Sequence, residues 1–297
     1  METREDKKDR DAAGRPNVMS RRGFLRVSAV GTIAGATVLA AGRAISPGVA
    51  TSPDVKAFEG PKKRYGMLID LRKCVGCESC TVACKAENNI PVDSSRKSSR
   101  RIMWNHLVYE EEGGEHPAIH AKPQPCNHCE EPPCVKVCPV GATYRDESRG
   151  LVLQNYDICI GCRYCTVACP YTRRYFNWES PTFPHVKRTG TTDFTQTAGG
   201  FNPLVPVRKK GITEKCLFCV HRILAAEEKA KRTGAVLRDG DVRPACVTTC
   251  ITQARVFGDL NDPQSEISQL YNQYKDRLVR LEEHLGTEPK VFYIPEN

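Results

Sequence analysis

Hydrophobic positions along this chain come in short runs set between long polar stretches. Tyr65–Leu71 (YGMLIDL) predicts a strand. Ile102–Tyr109 predicts a second, and the Glu- and Gly-rich run Glu110–Glu115 a turn after it. Ala142–Tyr144 and Leu151–Leu153 flank Asp-Glu-Ser-Arg-Gly, the pattern of a short β-hairpin. Val220–Arg232 predicts a charged helix and Arg255–Leu260 a closing strand. Asp262 predicts a helix N-cap, with Pro263 at the first position. Behind it Ile267, Leu270, Tyr271, Tyr274, Leu278, Leu281 and Leu285 share one helical stripe, which predicts packing on the protein's own body. Pro53–Lys63 has the composition of a linker, and residues 93–101 that of a polar loop. Thr182–Gly211, rich in Thr, Gly, Pro and Asn without a period, predicts a long loop and a candidate contact surface. No stretch after residue 50 is long and apolar enough to cross a bilayer.

The cysteines change this picture. There are sixteen, in four blocks of four. Cys74, Cys77, Cys80 and Cys84 are spaced C-x2-C-x2-C-x3-C, and Cys159, Cys162, Cys165 and Cys169 repeat that spacing before Pro170. Cys126, Cys129, Cys134 and Cys138 are spaced C-x2-C-x4-C-x3-C before Pro139. The fourth block is split into Cys216 and Cys219, then Cys246 and Cys250. This is the ligand spacing of cubane iron–sulfur clusters, in which three sulfurs of one loop hold one cluster and the fourth cysteine, expected at the start of a helix, reaches the other. Sixteen thiolates make four [4Fe-4S] clusters with none left over, so the cofactor expectation is four clusters and the chemistry is single-electron relay. Zinc is the weaker alternative, because it gains nothing from a third cysteine two residues on. A disulfide framework is weaker still in a chain long enough to bury a core. A radical-type C-x3-C-x2-C motif is absent.

CVGCESCTVAC from Cys74 matches CIGCRYCTVAC from Cys159 at eight of eleven positions. CVKVCPVGATY from Cys134 loosely echoes CVTTCITQARVF from Cys246. The expected fold is therefore α+β: two pseudo-symmetric two-cluster ferredoxin-like units, one inserted in the other, with long loops and a C-terminal helix. The corresponding boundaries are 1–50 export signal, 51–64 linker, 65–125 first unit (N-terminal part), 126–175 inserted second unit, 176–215 insertion loop, 216–262 first unit (C-terminal part) and 263–297 C-terminal helix and tail. His128 reads as a surface or sulfur-contacting imidazole. Tyr164, Tyr171, Trp178 and Phe218 read as shields between clusters and water. Removing the clusters is expected to unfold the chain, since ligand binding supplies folding free energy.

Residues 1–50 read separately. A charged stretch leads to Arg21 and Arg22, then Phe24-Leu25 and the weakly apolar run Val27–Ala41. This is the pattern of a twin-arginine export signal, with cleavage expected near Gly48–Ala50. Export in the folded state suits a thiol-rich protein bound for an oxidising compartment, here the periplasm. The formal charge of +9 is misleading. Nine of the basic and five of the acidic residues lie in the first fifty, leaving +5. Four clusters contribute about −8. No nucleic-acid partner is implied.

The phrases PCNHCEEPPCVKVCPVGATY, CIGCRYCTVACPYTRRYFNW, EKCLFCVHRI and RVFGDLNDP resemble the four-cluster iron–sulfur subunits of the dimethyl sulfoxide reductase and polysulfide reductase type of membrane oxidoreductases. The resemblance covers most of residues 60–265. It implies one cluster on Cys74, Cys77, Cys80 and Cys250 and another on Cys84, Cys216, Cys219 and Cys246. It implies a third on Cys126, Cys129, Cys134 and Cys169, and a fourth on Cys138, Cys159, Cys162 and Cys165. Lys85 and Ile251 stand where proline often follows the last cysteine, and neither is a ligand. The resemblance also implies an electron-transfer subunit of anaerobic respiration, not a catalytic one. It would lie between a polysulfide-reductase-type integral membrane subunit, linked to quinone, and a periplasmic molybdopterin or haem subunit. Among such proteins the chain looks most like the periplasmic subunit of the sulfite-reduction-associated membrane complex. A stand-alone iron–sulfur enzyme and a zinc module are the competing functions; the first needs a cluster with a free corner, and sixteen cysteines leave none.

Overall fold

The computed structural model describes residues 62–92, 100–112, 118–181, 186–187, 193–194 and 201–296. The export signal, most of the linker and most of the two polar loops lie outside these.

Strand β1, Tyr65–Asp70, is buried along its whole length, as its unbroken apolar run requires. Its side chains alternate. Tyr65, Met67 and Ile69 face a core that contains Cys80, Cys84, Cys216 and Cys246 together with Trp104, Phe218 and Phe257. Leu68 faces a smaller core with Ile267, Phe292 and Ile294. After β1 come helix α1 (Ser79–Glu87), strands β2 (His106–Glu112) and β3 (Ala118–Gln124), and the short helix α2 (Pro133–Lys136). Strands β4 (Thr143–Asp146) and β5 (Leu151–Gln154) form the expected hairpin between the second and third cysteine blocks. Helix α3 (Tyr164–Ala168) follows, then β6 (Tyr175–Phe176), β7 (Val186–Lys187), β8 (Asp193–Phe194) and β9 (Thr213–Glu214). Pairing of β6 with β9 closes the base of the long loop. Helices α4 (Val220–Thr233) and α5 (Ala245–Thr248), strand β10 (Arg255–Asp259), helix α6 (Glu266–Tyr274) and strand β11 (Val291–Ile294) complete the chain. Helix α1 packs on α5, and α2 on α3.

The main sheet has the order β10-β1-β11, antiparallel on one side of β1 and parallel on the other. Its third strand was not expected. VFYI lies in what reads as a tail, and four apolar residues between Pro289 and Pro295 carry too little period to identify. The segment before it runs beside the second cysteine block: Glu130 and Glu131 N–H donate to Glu288 and Thr287 carbonyls, and Lys290 N–H donates to Asn127 O.

Three further expectations need correction. The second strand begins at His106, not Ile102, because Ile102 and Trp104 are buried in the core as irregular chain. It continues through Glu112, paired with β3, so Glu110–Glu112 are strand and not turn; Lys122 donates to Glu110 across the pair at 3.2 Å. Helix α6 starts at the Ser265 N-cap, whose hydroxyl accepts from Ser268 N–H. Asp262 instead caps a turn, accepting from Gln264 N–H at 2.9 Å. The helix stops at Tyr274, so the stripe is interrupted. Ile267, Leu270, Tyr271, Tyr274 and Leu278 pack over Leu68 and Phe292, Leu281 joins the larger core, and Leu285 is exposed.

Phe292, 2 % exposed, meets the Tyr271 ring edge-on at 5.0 Å. Phe292→Ala is expected to cost about 3–5 kcal/mol. Urea unfolding of the anaerobically purified protein checks this; an unchanged midpoint would contradict the role of β11.

Candidate metal centres

Each C-x2-C loop bends the same way. The residue before the second cysteine has positive φ in all four: Gly76 (66°), His128 (44°), Gly161 (68°) and Phe218 (52°). In the first and third blocks a second left-handed residue follows, Glu78 or Arg163, and acts as helix N-cap. Such successive turns direct backbone N–H groups inward, toward where an anionic cluster would sit. The third cysteine, Cys80 or Cys165, then lies in the first helical turn. This corrects the expectation for the fourth: Cys84 sits a turn further into α1, and Cys169 is the C-cap of α3.

Strand pairing brings separate blocks together. Cys74, Cys77, Cys80 and Cys250 line one pocket, with Leu107 and Pro123 on its wall. Cys84 is buried facing Cys216, Cys219 and Cys246, and burial holds its thiol well above the ordinary range. Cys129 faces Cys126, Cys134 and Cys169 and is pushed up to about 12 by burial. Cys159 and Cys162 lie on the loop into α3 and Cys165 in its first turn; Cys138 lies on the α2–β4 turn, its sulfur accepting from Thr143 N–H at 3.4 Å. Cys216 also faces Cys126, which joins the second group to the third. None of the sixteen is joined in a disulfide. Among the described residues no three donors converge on a single-ion site. An all-sulfur donor set lining one shared pocket fits an iron–sulfur core.

A second layer of donors was not legible in the cysteine pattern. Asn105 Nδ2 and Arg255 Nη2 donate to Cys80 Sγ at 3.2 and 3.4 Å. Asn88 Nδ2 reaches Cys84 and Cys219 at 3.7 Å. Arg174 Nη2 donates to Cys134 at 3.1 Å. Glu87 ties α1 to α4 through Arg222 and His221, and the Arg222 bonds lower its carboxyl pKa to about 2.

His128 is not on the surface, and its ring nitrogens bond backbone groups. It is fully buried between the second and fourth blocks. Its Nδ1 accepts from Val152 N–H at 3.1 Å, so Nε2 carries the proton and donates to Cys216 O. Burial, Lys215 and Lys290 keep it neutral. It stacks on Phe218 at 3.9 Å, a contact between the same position of two C-x2-C loops. Phe218 and Tyr171 are buried as shields should be, whereas Tyr164 and Trp178 are 58 % and 42 % exposed. Trp178 instead carries the Arg163 guanidinium at 4.7 Å.

Residues 73–142 and 118–189 each match a family described as a 4Fe-4S dicluster domain. Over 250 residues the chain is 42 % identical to the menaquinone reductase iron–sulfur cluster-binding subunit of Nitratidesulfovibrio vulgaris, covering 81 % of this chain and 92 % of that one. It is 40 % identical over 252 residues to the arsenate respiratory reductase iron–sulfur subunit ArrB of a Shewanella species, covering 78 % and 96 %. It is 37 % identical over 276 residues to one of the tetrathionate reductase subunits of Salmonella typhimurium, covering 93 % and 88 %.

A Cβ on Gly161 would stand 1.9 Å from Gly211 O, whereas one on Gly76 would meet only the Ala121 methyl at 3.0 Å. Gly161→Ala is therefore expected to lose iron, and Gly76→Ala to lose less, since the first clash is with backbone. Iron per chain after anaerobic purification reads this; equal losses would contradict it.

Proposed function

Because the chain belongs to the iron–sulfur subunits of respiratory reductase complexes, built on two 4Fe-4S dicluster domains that hold four clusters, we propose a specific wiring for it. It is an electron-transfer subunit and not the catalytic one. A [4Fe-4S] cluster, when bound, takes up and gives back one electron at a time. The first cluster would be held by Cys74, Cys77, Cys80 and Cys250 and the second by Cys84, Cys216, Cys219 and Cys246. Cys126, Cys129, Cys134 and Cys169 would hold the third, and Cys138, Cys159, Cys162 and Cys165 the fourth. The observation that carries this is the single cavity shared by the first three cysteines of block one and the last of block four. The packing of α1 on α5 and of α2 on α3 favours the same pairing. It also supports two pseudo-symmetric units, with the second, 126–175, inserted in the first, 65–125 plus 216–262. The neighbouring Cys126 and Cys216 favour a continuous order from first to fourth cluster.

Its partners belong to a multi-subunit respiratory reductase complex. We further read them as a polysulfide-reductase-type membrane subunit and a periplasmic molybdopterin or haem subunit, in a complex like that associated with sulfite reduction. The protein would reach the periplasm folded, through the twin-arginine signal at Arg21 and Arg22. Its relatives' names, which span menaquinone, arsenate and tetrathionate reductases, support the respiratory role.

Anaerobically purified protein is expected to contain roughly sixteen iron and sixteen sulfide per chain, four of each per cluster. Cys77→Ser and Cys250→Ser should abolish the same electron paramagnetic resonance signal, and Cys84→Ser a different one. Zinc without sulfide would end the reading, and separate signals for Cys77 and Cys250 would end the pairing. Co-purification from solubilised membranes tests the complex; a chain that elutes alone argues against it. Replacing Arg21 and Arg22 by Lys should hold the chain in the cytoplasm; unchanged export would contradict the signal.

A further inference from the structure

Five arginines are buried among the described residues: Arg149, Arg173, Arg174, Arg208 and Arg255. A buried guanidinium needs a counter-charge or a full set of acceptors. Arg149 meets Asp146 and Glu227, and Arg208 meets Glu214. The Arg173 guanidinium donates to Tyr171 O, Gln124 O and Gln124 Oε1 and to no sulfur among the described residues; only the Arg173 backbone N–H bonds Cys169. Arg174 and Arg255 differ from all three. Arg255 donates to Asn105 Oδ1, Met67 Sδ and Cys80 Sγ. Arg174 donates to Thr143 Oγ1, Gln154 Oε1 and Cys134 Sγ. Among the described residues neither has a carboxylate partner. The acidic groups that face them are mainly cysteines: Cys246, Cys80 and Cys250 around Arg255, where the Tyr293 phenol also lies, and Cys134, Cys165 and Cys126 around Arg174.

These sets straddle the proposed clusters. Cys80 and Cys250 belong to the first and Cys246 to the second; Cys126 and Cys134 belong to the third and Cys165 to the fourth. Each arginine also stands five residues after the last cysteine of a block, Cys169 or Cys250, so the two dicluster units each carry one. An added electron makes a cluster more negative. A fixed positive charge beside it in a low-dielectric interior favours the reduced form.

We propose that Arg255 and Arg174 are potential-setting residues, each placing one permanent positive charge between the two clusters of its own unit and raising both reduction potentials. This rests on the cluster pairing above. Lys215, also buried, donates to Cys216 O at the junction between units, and it remains constant in the comparison that follows.

The test is a potentiometric titration followed by electron paramagnetic resonance on anaerobically purified full-length protein, with iron and sulfide measured for every variant. Arg255→Gln is expected to lower two of the four midpoints by at least a tenfold change in the reduction equilibrium, about 59 mV for one electron, and to leave the other two. Arg174→Gln should move the other pair. Arg255→Lys and Arg174→Lys should stay closer to wild type. Loss of iron from a Gln variant that its Lys counterpart retains also supports the counter-charge role. No shift, an equal shift of all four centres, a Lys variant that moves as far as Gln, or iron loss from both would overturn it. Wild-type protein without iron and sulfide would instead overturn the cluster reading itself.

Discussion

Sulfur atoms far apart in the chain have to meet around a single core, and the loop-closure entropy of that meeting has to be offset by something other than the sulfurs. Here strand pairing does it. Strand β1 leads into the Cys74 loop, and β10 begins just after Cys250. Their antiparallel register runs from Tyr65–Asp259 to Ile69–Arg255. Asp70 N–H then donates to Ala254 O at 2.7 Å, so the two cysteine segments emerge side by side. In the other half the β4–β5 hairpin performs the same task between Cys138 and Cys159. The parallel strand β11 adds a strap: it pairs with β1 while residues 287–290 hydrogen-bond along the second cysteine loop. One short C-terminal segment thus touches chain from both halves.

The interior this creates is unusual in what it buries. The larger core mixes Met67, Ile69, Trp104 and Phe257 with four cysteines. Burial, reinforced by the neighbouring cysteines, holds Cys84 well above the ordinary thiol range and Cys219 up to about 12, so without iron these sulfurs are neutral. Cluster assembly has to release their protons and place negative charge in the same volume. The chain answers with directed donors: left-handed loops, Asn105, Asn88, and the guanidinium groups of Arg174 and Arg255. Assembly and folding are therefore coupled through the same residues.

The cysteine blocks were legible in the sequence because cluster ligation is a local, covalent-scale demand that fixes spacing. The 143–154 hairpin was legible too, since its turn chemistry and alternation agree. What escaped depends on tertiary context. Ile102 and Trp104 look like strand residues but are buried without pairing. Glu110–Glu112 look like a turn, yet their backbone pairs with β3 in a two-stranded ribbon. Asp262-Pro263 is a good helix start in isolation, but it forms a turn that hands the cap to Ser265. His128 is an ordinary histidine in a cysteine loop until Phe218, from another block, stacks on it. Arg174 and Arg255 stand at a fixed distance from the last cysteine of a block, but their meaning depends on a tertiary fact, that no carboxylate among the described residues pairs with either.

Burial also varies along the proposed order of clusters in a way that follows from what a wire must do. In the second group Cys84, Cys216, Cys219 and Cys246 are all buried. In the third, Cys129 and Cys134 are buried and Cys126 and Cys169 partly so. Only the first and fourth groups contain an exposed thiol, Cys77 and Cys162. Exposed apolar side chains gather at the same two loops: Val75 and Val82 beside the first, Ile160, Tyr164 and Val167 beside the fourth. A relay insulated in its middle and open at its ends exchanges electrons only with whatever docks at those ends. The apolar rims are the surfaces that docking would cover, so the same short cysteine loop both holds a terminal cluster and presents it.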